Sequence, residues 1–341
     1  MNDKKPLLGL NPTELKEIVL SLGMPAFTAK QITEWLYKKR VVSMDEMTNI
    51  SAKNRELLKE QYNLGRSEPV SCEISADGTK KYLFKTESGH FIESVFIPEE
   101  ERFTLCVSSQ AGCKLACKFC MTGKQGFVAQ LTAAEILNQI MSIPEANELT
   151  NLVFMGMGEP FDNTTELLRT LDILTSDYGY AWSPKRITVS TIGLVPGMKK
   201  FLEESNCHLA VSMHSPFSKE RVELMPAEKT YPLHEIIQLL RKYDFTKQRR
   251  LSFEYIMFEG LNDTTRHAVE VVKLLRGLEC RVNLIRFHAI PGIELRPTDE
   301  QKMIAFRDYL THNGIICTIR RSRGEDIAAA CGMLAGKSNE A

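Results

Sequence analysis

Leu105-Cys-Val-Ser-Ser-Gln-Ala-Gly-Cys113-Lys-Leu-Ala-Cys117-Lys-Phe-Cys120 opens as an apolar, strand-like run. It ends in three cysteines separated by three and then two residues. Three thiolates at this spacing can grip three irons of a cubane cluster, and the motif offers no ligand for the fourth. A four-iron cluster used only for electron transfer normally takes four Cys. An iron left open is a place to bind and split a substrate. Zinc would want a fourth ligand, usually Cys or His at recognisable spacing. The next cysteine is Cys207, with no paired Cys-x-x-Cys or His-x-His, so a structural zinc knob is the lesser reading.

From this run to the C-terminus the chain alternates apolar strands with helical patterns. Strands are expected at 105–108, 152–155, 186–191, 208–213, 251–257, 282–287 and 315–320. Helical periodicity falls at 132–142, 164–175, 233–243, 264–276 and 299–313. Repeated βα units imply an α/β fold with a parallel sheet, closed or partly closed as a barrel. Such barrels build their active sites at the C-terminal ends of the strands. The cysteine triplet follows the first of these strands.

Upstream the pattern differs. Residues 1–62 read as a small helical domain. Asn11-Pro12 caps one helix, Thr28 with Gln31 is a capping box for a second, and 51–62 is a third. Residues 63–100 read as a small β segment, with turns at Asp77-Gly78 and Ser88-Gly89. The barrel and its C-terminal cysteine segment then occupy 101–341.

Lys plus Arg and Asp plus Glu number 43 each over 341 residues, so any nucleic-acid site must be a local patch. Candidate phosphate contacts are Lys38, Lys39, Arg40, Arg249, Arg250, Arg320, Arg321 and Arg323, against the alternative of solvated charged faces. The first residues lack the long apolar core of a signal peptide, and no apolar stretch is long enough to span a membrane. Nine cysteines in such a chain point to metal and redox chemistry in a reducing, cytoplasmic setting. Cys72, Cys207, Cys280 and Cys317 read as small buried hydrophobes.

Further chemistry-bearing residues fall at successive strand ends. Met155-Gly-Met-Gly158-Glu159-Pro160 ends the second strand. Glycines let backbone approach a ligand, and a carboxylate beside them suits an ammonium group. Ser190-Thr191-Ile192-Gly193 and Ser212-Met213-His214-Ser215 end the third and fourth, offering hydroxyls. Each alone reads as loop punctuation; their recurrence makes a shared pocket. Cys331 and Cys106 read as buried structural thiols unless the chemistry needs a nucleophile and a resolving thiol.

The triplet, with Phe119 just before Cys120, resembles that of radical S-adenosylmethionine (SAM) enzymes. Over nearly its whole length the chain is similar to the RlmN/Cfr family of RNA methyltransferases. The matching runs are Thr104-Leu-Cys106-Val-Ser-Ser-Gln-Ala-Gly-Cys113, Phe154-Met-Gly-Met-Gly-Glu-Pro160, Val189-Ser-Thr-Ile-Gly193, Gly260-Leu-Asn-Asp263 and Asp326-Ile-Ala-Ala-Ala-Cys-Gly332. The resemblance implies a partial (βα)6 barrel and a [4Fe-4S] cluster on Cys113, Cys117 and Cys120, with two SAM used per turnover. It implies that Cys331 accepts a methyl group, Cys106 resolves a later crosslink as a disulfide, and Glu93 takes a proton from the target base. SAM contacts would map to Gly158, Glu159, Ser190, Ser212, Met213, His214 and His288. The implied reaction is methylation of carbon 2 of an adenine in 23S ribosomal RNA and in transfer RNA. The alternatives are carbon-8 methylation and, from another class, a non-catalytic RNA-binding or electron-transfer protein. A flavodoxin or ferredoxin as electron donor and a monomeric state are expected. Two runs depart from the family: His288-Ala289 stands where Asn-Pro is usual, and Met225-Pro-Ala-Glu228 where Met-Pro-Ile-Asn is usual.

Overall fold

The structure, a computed structural model, describes residues 4–246 and 249–336. Asn11 caps α1 (Pro12–Ser21): its side chain accepts the Thr13 and Glu14 N–H groups, and Glu14 reaches back to the Asn11 N–H. The capping box expected at Thr28 is not formed. Thr28 is the buried first residue of α2 (Thr28–Thr33), the cap position falls on Phe27, and Gln31 donates to the Asn49 carbonyl instead. The helix runs on through a π-helical stretch, Glu34–Lys39. Ser51 caps α3 (Ala52–Gln61). These helices share one apolar core with the barrel's outer helices. Glu14 pairs with Arg169 at 2.6 Å, and Arg40 donates to Asn147 at 2.9 Å.

Among the described residues the main sheet has ten strands. β1 (Ser71–Ile74), β2 (Lys80–Lys85) and β3 (Phe91–Glu99) form antiparallel hairpins at one edge. β4 (Arg102–Cys106) pairs antiparallel with β3 and parallel with β5 (Asn151–Phe154). β6 (Ile187–Thr191), β7 (His208–Ser212), β8 (Leu251–Met257), β9 (Arg281–Arg286) and β10 (Ile316–Arg320) continue the parallel run. Every residue of β8 is buried, as befits a central strand covered on both faces. Helices α4 (Ala133–Met141), α5 (Thr164–Thr175), α6 (Val195–Glu204), α7 (Leu233–Leu240), α8 (Thr265–Leu275) and α9 (Glu300–His312) connect the strands. β10 and β1 are the two ends of the sheet, so the barrel is open.

Two details bear on the site. The first barrel strand lies three residues earlier than its apolar run suggests, which places Cys106 at its C-terminal end. Beyond it, Gln110–Gly112 pairs with Phe127–Gln130, and the cysteine triplet sits in the connection of this small hairpin. α6 is absent from the expected helices; it starts at Val195-Pro-Gly197, where Pro196 is tolerated because it falls in the first helical turn. Of the four remaining cysteines read as buried, Cys207 and Cys317 are, whereas Cys72 is exposed on the edge strand and Cys280 is half-buried. Among the described residues no helix is long and apolar enough to cross a membrane.

Candidate active site

Backbone hydrogen bonds fix the cysteine loop. The Cys113 N–H donates to the Gly126 carbonyl, Lys118 N–H to Leu224, and Cys120 N–H to Cys117. Phe119 meets His214 edge-on at 4.7 Å and packs on Phe258. Burial pushes the Cys113 thiol up to about 12, with Cys120 nearby adding to it. Burial likewise raises Cys117, where both other thiols contribute, and Cys120. Three desolvated thiols within electrostatic range of one another do not ionise unaided at neutral pH. A cationic iron cluster supplies the missing charge and fits this donor set. Among the described residues, no three or more His, Cys, Asp or Glu side chains are set to hold a single metal ion.

Beneath the loop lies a cavity of about 160 Å³. Gly158, Glu159, Ser190, Ser212 and His214 line it, together with Cys106, Cys120 and Cys331. Met213 does not; its side chain is in the core, and its backbone carbonyl accepts from Arg221. A second cavity of about 330 Å³ adjoins the first and holds His288 in its wall. His288 contacts Ser322 at 2.9 Å and Glu325 at 3.1 Å. Cys331, Glu254 and Arg320 line both cavities.

The Gly156–Glu159 segment explains its own glycines. A Cβ on Gly156 would meet the Val107 carbonyl oxygen at 2.6 Å, and one on Gly158 would meet the Gln110 side chain at 2.4 Å. Gly158 also has φ +92, which disfavours any side chain. The glycines therefore serve close strand packing. Gln110 completes the clamp, accepting the Glu159 N–H at 2.8 Å and donating to Asp162 at 2.8 Å. The Glu159 carboxylate accepts from the Ile192 and Phe161 N–H groups, yet burial still lifts it to about 7. His214 has φ +54, and its Nδ1 accepts the Ile256 N–H at 3.0 Å. Burial lowers its pKa to about 3, so the ring is neutral with its proton on Nε2.

Arg221 escaped the sequence reading. It is fully buried, donates to the carbonyls of Ser212 and Met213, and pairs with Glu228. The unusual Glu228 thus has a structural role: it balances the cation that braces the end of β7 and also accepts the Leu233 N–H.

Cys106 is buried and Cys331 half-buried; all nine cysteines are free thiols. Burial pushes Cys106 up to about 12; Cys331 adds to this, and Arg320 opposes it. Arg320 is held against the Met155 sulfur at 3.3 Å. The segment carrying Cys331 folds back onto the cysteine loop. Gly332 accepts the Met121 N–H at 2.7 Å, and Leu334 accepts the Thr122 hydroxyl at 2.7 Å. Glu93 lies in the wall of neither cavity. Its carboxylate accepts the Ala335 and Gly336 N–H groups at 2.7 and 2.9 Å and lies 3.5 Å from Lys81.

Several candidate phosphate contacts are otherwise engaged. Arg40 lies over the Tyr180 ring, and Arg249 is buried over Phe201. Arg323 sits between Asp77 and Glu99, at 3.9 Å from each. Arg250 and Arg321 are exposed in the outer cavity's wall.

An open parallel barrel carrying this triplet above strand-end polar residues defines a radical SAM enzyme, and residues 107–275 match the Radical SAM superfamily. Residues 5–64 match the ribosomal RNA large subunit methyltransferase N-terminal domain. A probable dual-specificity RNA methyltransferase RlmN of Phocaeicola vulgatus is 64% identical over 97% of this chain and 95% of its own length. The chain belongs to the RlmN family of radical SAM RNA methyltransferases. A dual-specificity RNA methyltransferase RlmN of Nitratiruptor sp. is 40% identical over 98% of this chain and 99% of its own. The crystal structure of a radical SAM methyltransferase from Sphaerobacter thermophilus, 39% identical, superposes with a TM-score of 0.92 over 98% of this chain and 100% of that one. Enzymes of this family use a [4Fe-4S] cluster and SAM.

Proposed function

We propose that this protein methylates carbon 2 of an adenine in 23S ribosomal RNA and in transfer RNA, through a methylated Cys331 and a transient Cys106–Cys331 disulfide. One observation carries the reading: Cys331 and Cys106 share a cavity with Cys120 of the triplet. A cluster held by Cys113, Cys117 and Cys120 would, with SAM, supply one-electron cleavage, hydrogen-atom abstraction and an acceptor for the electron released when the base loses its ring proton.

Carbon 2 of adenine is electron-poor and does not attack a sulfonium methyl directly. A sulfur nucleophile does, so Cys331 takes the methyl group by displacement. Arg320, in electrostatic range of both thiols, favours the ionised form of Cys106 against its burial. Once the methyl carbon is joined to the base, Cys106 attacks the Cys331 sulfur. The S–C bond breaks, its electron pair stays with carbon, a proton completes the methyl group, and the thiols become a disulfide. Gly158, Glu159, Ser190, Ser212 and His214 hold SAM, the His288 backbone assists, and Met213, its N–H and carbonyl engaged by Glu254 and Arg221, supports Ser212 and His214 from the core. Glu93 takes the ring proton after the tail amides exchange away from its carboxylate. A cytoplasmic setting suits free thiols, with a flavodoxin or ferredoxin as electron source and one chain as the working unit.

The relatives named dual-specificity RlmN, and the run Arg320-Arg-Ser-Arg-Gly-Glu-Asp, support carbon 2 over carbon 8. Nucleoside mass spectrometry of ribosomal and transfer RNA from a deletion strain tests this. Loss of 2-methyladenosine is expected; its persistence would overturn the reading.

A further inference from the structure

The outer cavity extends in a direction that the active-site rule for barrels does not anticipate. Its wall includes Arg102, Thr188, Arg250, Ser252 and Arg281, all at or beside the N-terminal ends of their strands. Its other end is Cys331. Arg102 and Cys106 begin and end the same strand, a depth of about 13 Å at the ordinary rise per residue. The opposite face of the barrel is bridged by the cysteine loop and the 332–336 segment, which are hydrogen-bonded to each other.

Two independent features make this cavity a site. Burial lowers the Arg250 pKa first, and Arg281 and Arg102 sit close enough to lower it further, with Glu254 opposing. Among the described residues, none of the three side chains has an ion pair or hydrogen bond; Glu99 stands across the ladder from Arg102 and Glu254 attracts Arg250, but the wall holds six arginines against these two carboxylates, so the cavity is positive in a chain of zero net charge. Deeper in, Glu254 is 3% exposed. Its Oε1 accepts from Asn283 at 2.8 Å and from Ser252 at 3.2 Å, while its Oε2 is buried with no hydrogen-bond partner. A buried oxygen left unsatisfied in a polar cavity calls for a donor.

We propose that RNA enters through the N-terminal mouth of the barrel. Arg102, Arg250 and Arg281 hold phosphates flanking the flipped nucleotide, and Glu254 Oε2 accepts the exocyclic amino group of its adenine beneath Cys331. This rests on the RNA reading above and adds the route and the base contact. The cavity volume is at the small end of ligand sites and suits a single unstacked base. Methyl donor and acceptor then reach Cys331 from opposite ends of the barrel.

The test uses the cluster-loaded full chain and a short RNA stem-loop with an unpaired loop adenine, over a salt series from about 50 to 200 mM. Arg102→Gln/Arg250→Gln/Arg281→Gln should flatten the slope of log affinity against log salt by about 2, since each single-strand phosphate contact contributes roughly 0.7. The three side chains are exposed, and an unchanged thermal midpoint confirms folding. An unchanged salt slope would overturn the route. Wild-type protein that binds no RNA would instead sink the functional reading. In a second arm, purine replaces the target adenine and removes the amino group. Wild type should lose about tenfold in affinity, as for one hydrogen bond to a charged group. Glu254→Leu should bind both RNAs alike, and Glu254→Gln should keep part of the preference. Equal binding of both RNAs by wild type would overturn the base contact.

Discussion

The Glu93 carboxylate accepts the Ala335 backbone N–H at 2.7 Å, joining residues 242 positions apart. It thereby ties the segment that carries Cys331 to β3, while Met121 and Thr122 tie it to the cysteine loop. The position of the Cys331 sulfur thus depends on contacts some distance from it.

Glu93→Ala should release this tail. Charge-assisted hydrogen bonds are worth about 1.5–3 kcal/mol, so local opening should become roughly 10- to 100-fold more populated. Hydrogen exchange at the 335 and 336 amides reads this directly, independently of any proton-transfer role. Unchanged exchange would mean that the anchor carries no weight.

Asp77 gives the same segment an acid-sensitive hold. Burial opposes ionisation, but hydrogen bonds from Thr79, Gly324 and Ser75 bring its pKa down from 3.8 to about 2. Its contribution is therefore complete above about pH 4 and is lost as pH falls towards 2. Asp77→Asn should remove that part of the acid transition, followed by fluorescence or proteolysis of the C-terminal segment. An identical acid profile in the variant would refute the assignment.

Removing one partner of the Arg221–Glu228 pair leaves a buried charge. Glu228→Ala should cost about 3–5 kcal/mol in urea unfolding. Arg221→Met/Glu228→Leu should recover most of that stability yet weaken SAM binding, because the braces on Ser212 and Met213 are gone. A single variant as stable as wild type would count against the pair.

Cys106 should resist alkylation. With its thiol pushed up to about 12 by burial, little thiolate exists at pH 8. Iodoacetamide mapping should label exposed Cys72 at least about tenfold faster, and Arg320→Met should slow Cys106 further. Labelling of Cys106 at the Cys72 rate would contradict this environment.

Much of the site was written in local sequence. The triplet's spacing and the polar residues after successive strands needed only the chain's own order, and all but Met213 and His288 of the residues expected to hold SAM do line the inner cavity. Other features depend on convergence. Arg221 and Glu228 are seven residues apart on short helical turns, and only folding shows that they brace β7. Arg102 and Arg281 look like ordinary surface charges until the barrel brings them to one mouth. Cys106 was displaced from strand start to strand end because apolar residues 105–108 extend beyond the ladder. Glu93 read as a proton acceptor; its hold on the tail amides involves partners too remote to be seen in sequence.

Cys331 is a single sulfur exposed to two adjoining chambers. On the proposed chemistry a thiol in that position works as a turnstile: what it collects on one side it delivers on the other. Occupants of the two chambers then need not compete for space. A SAM analogue and an RNA mimic should be able to occupy the enzyme together, each lowering turnover without raising the apparent KM for the other's natural counterpart.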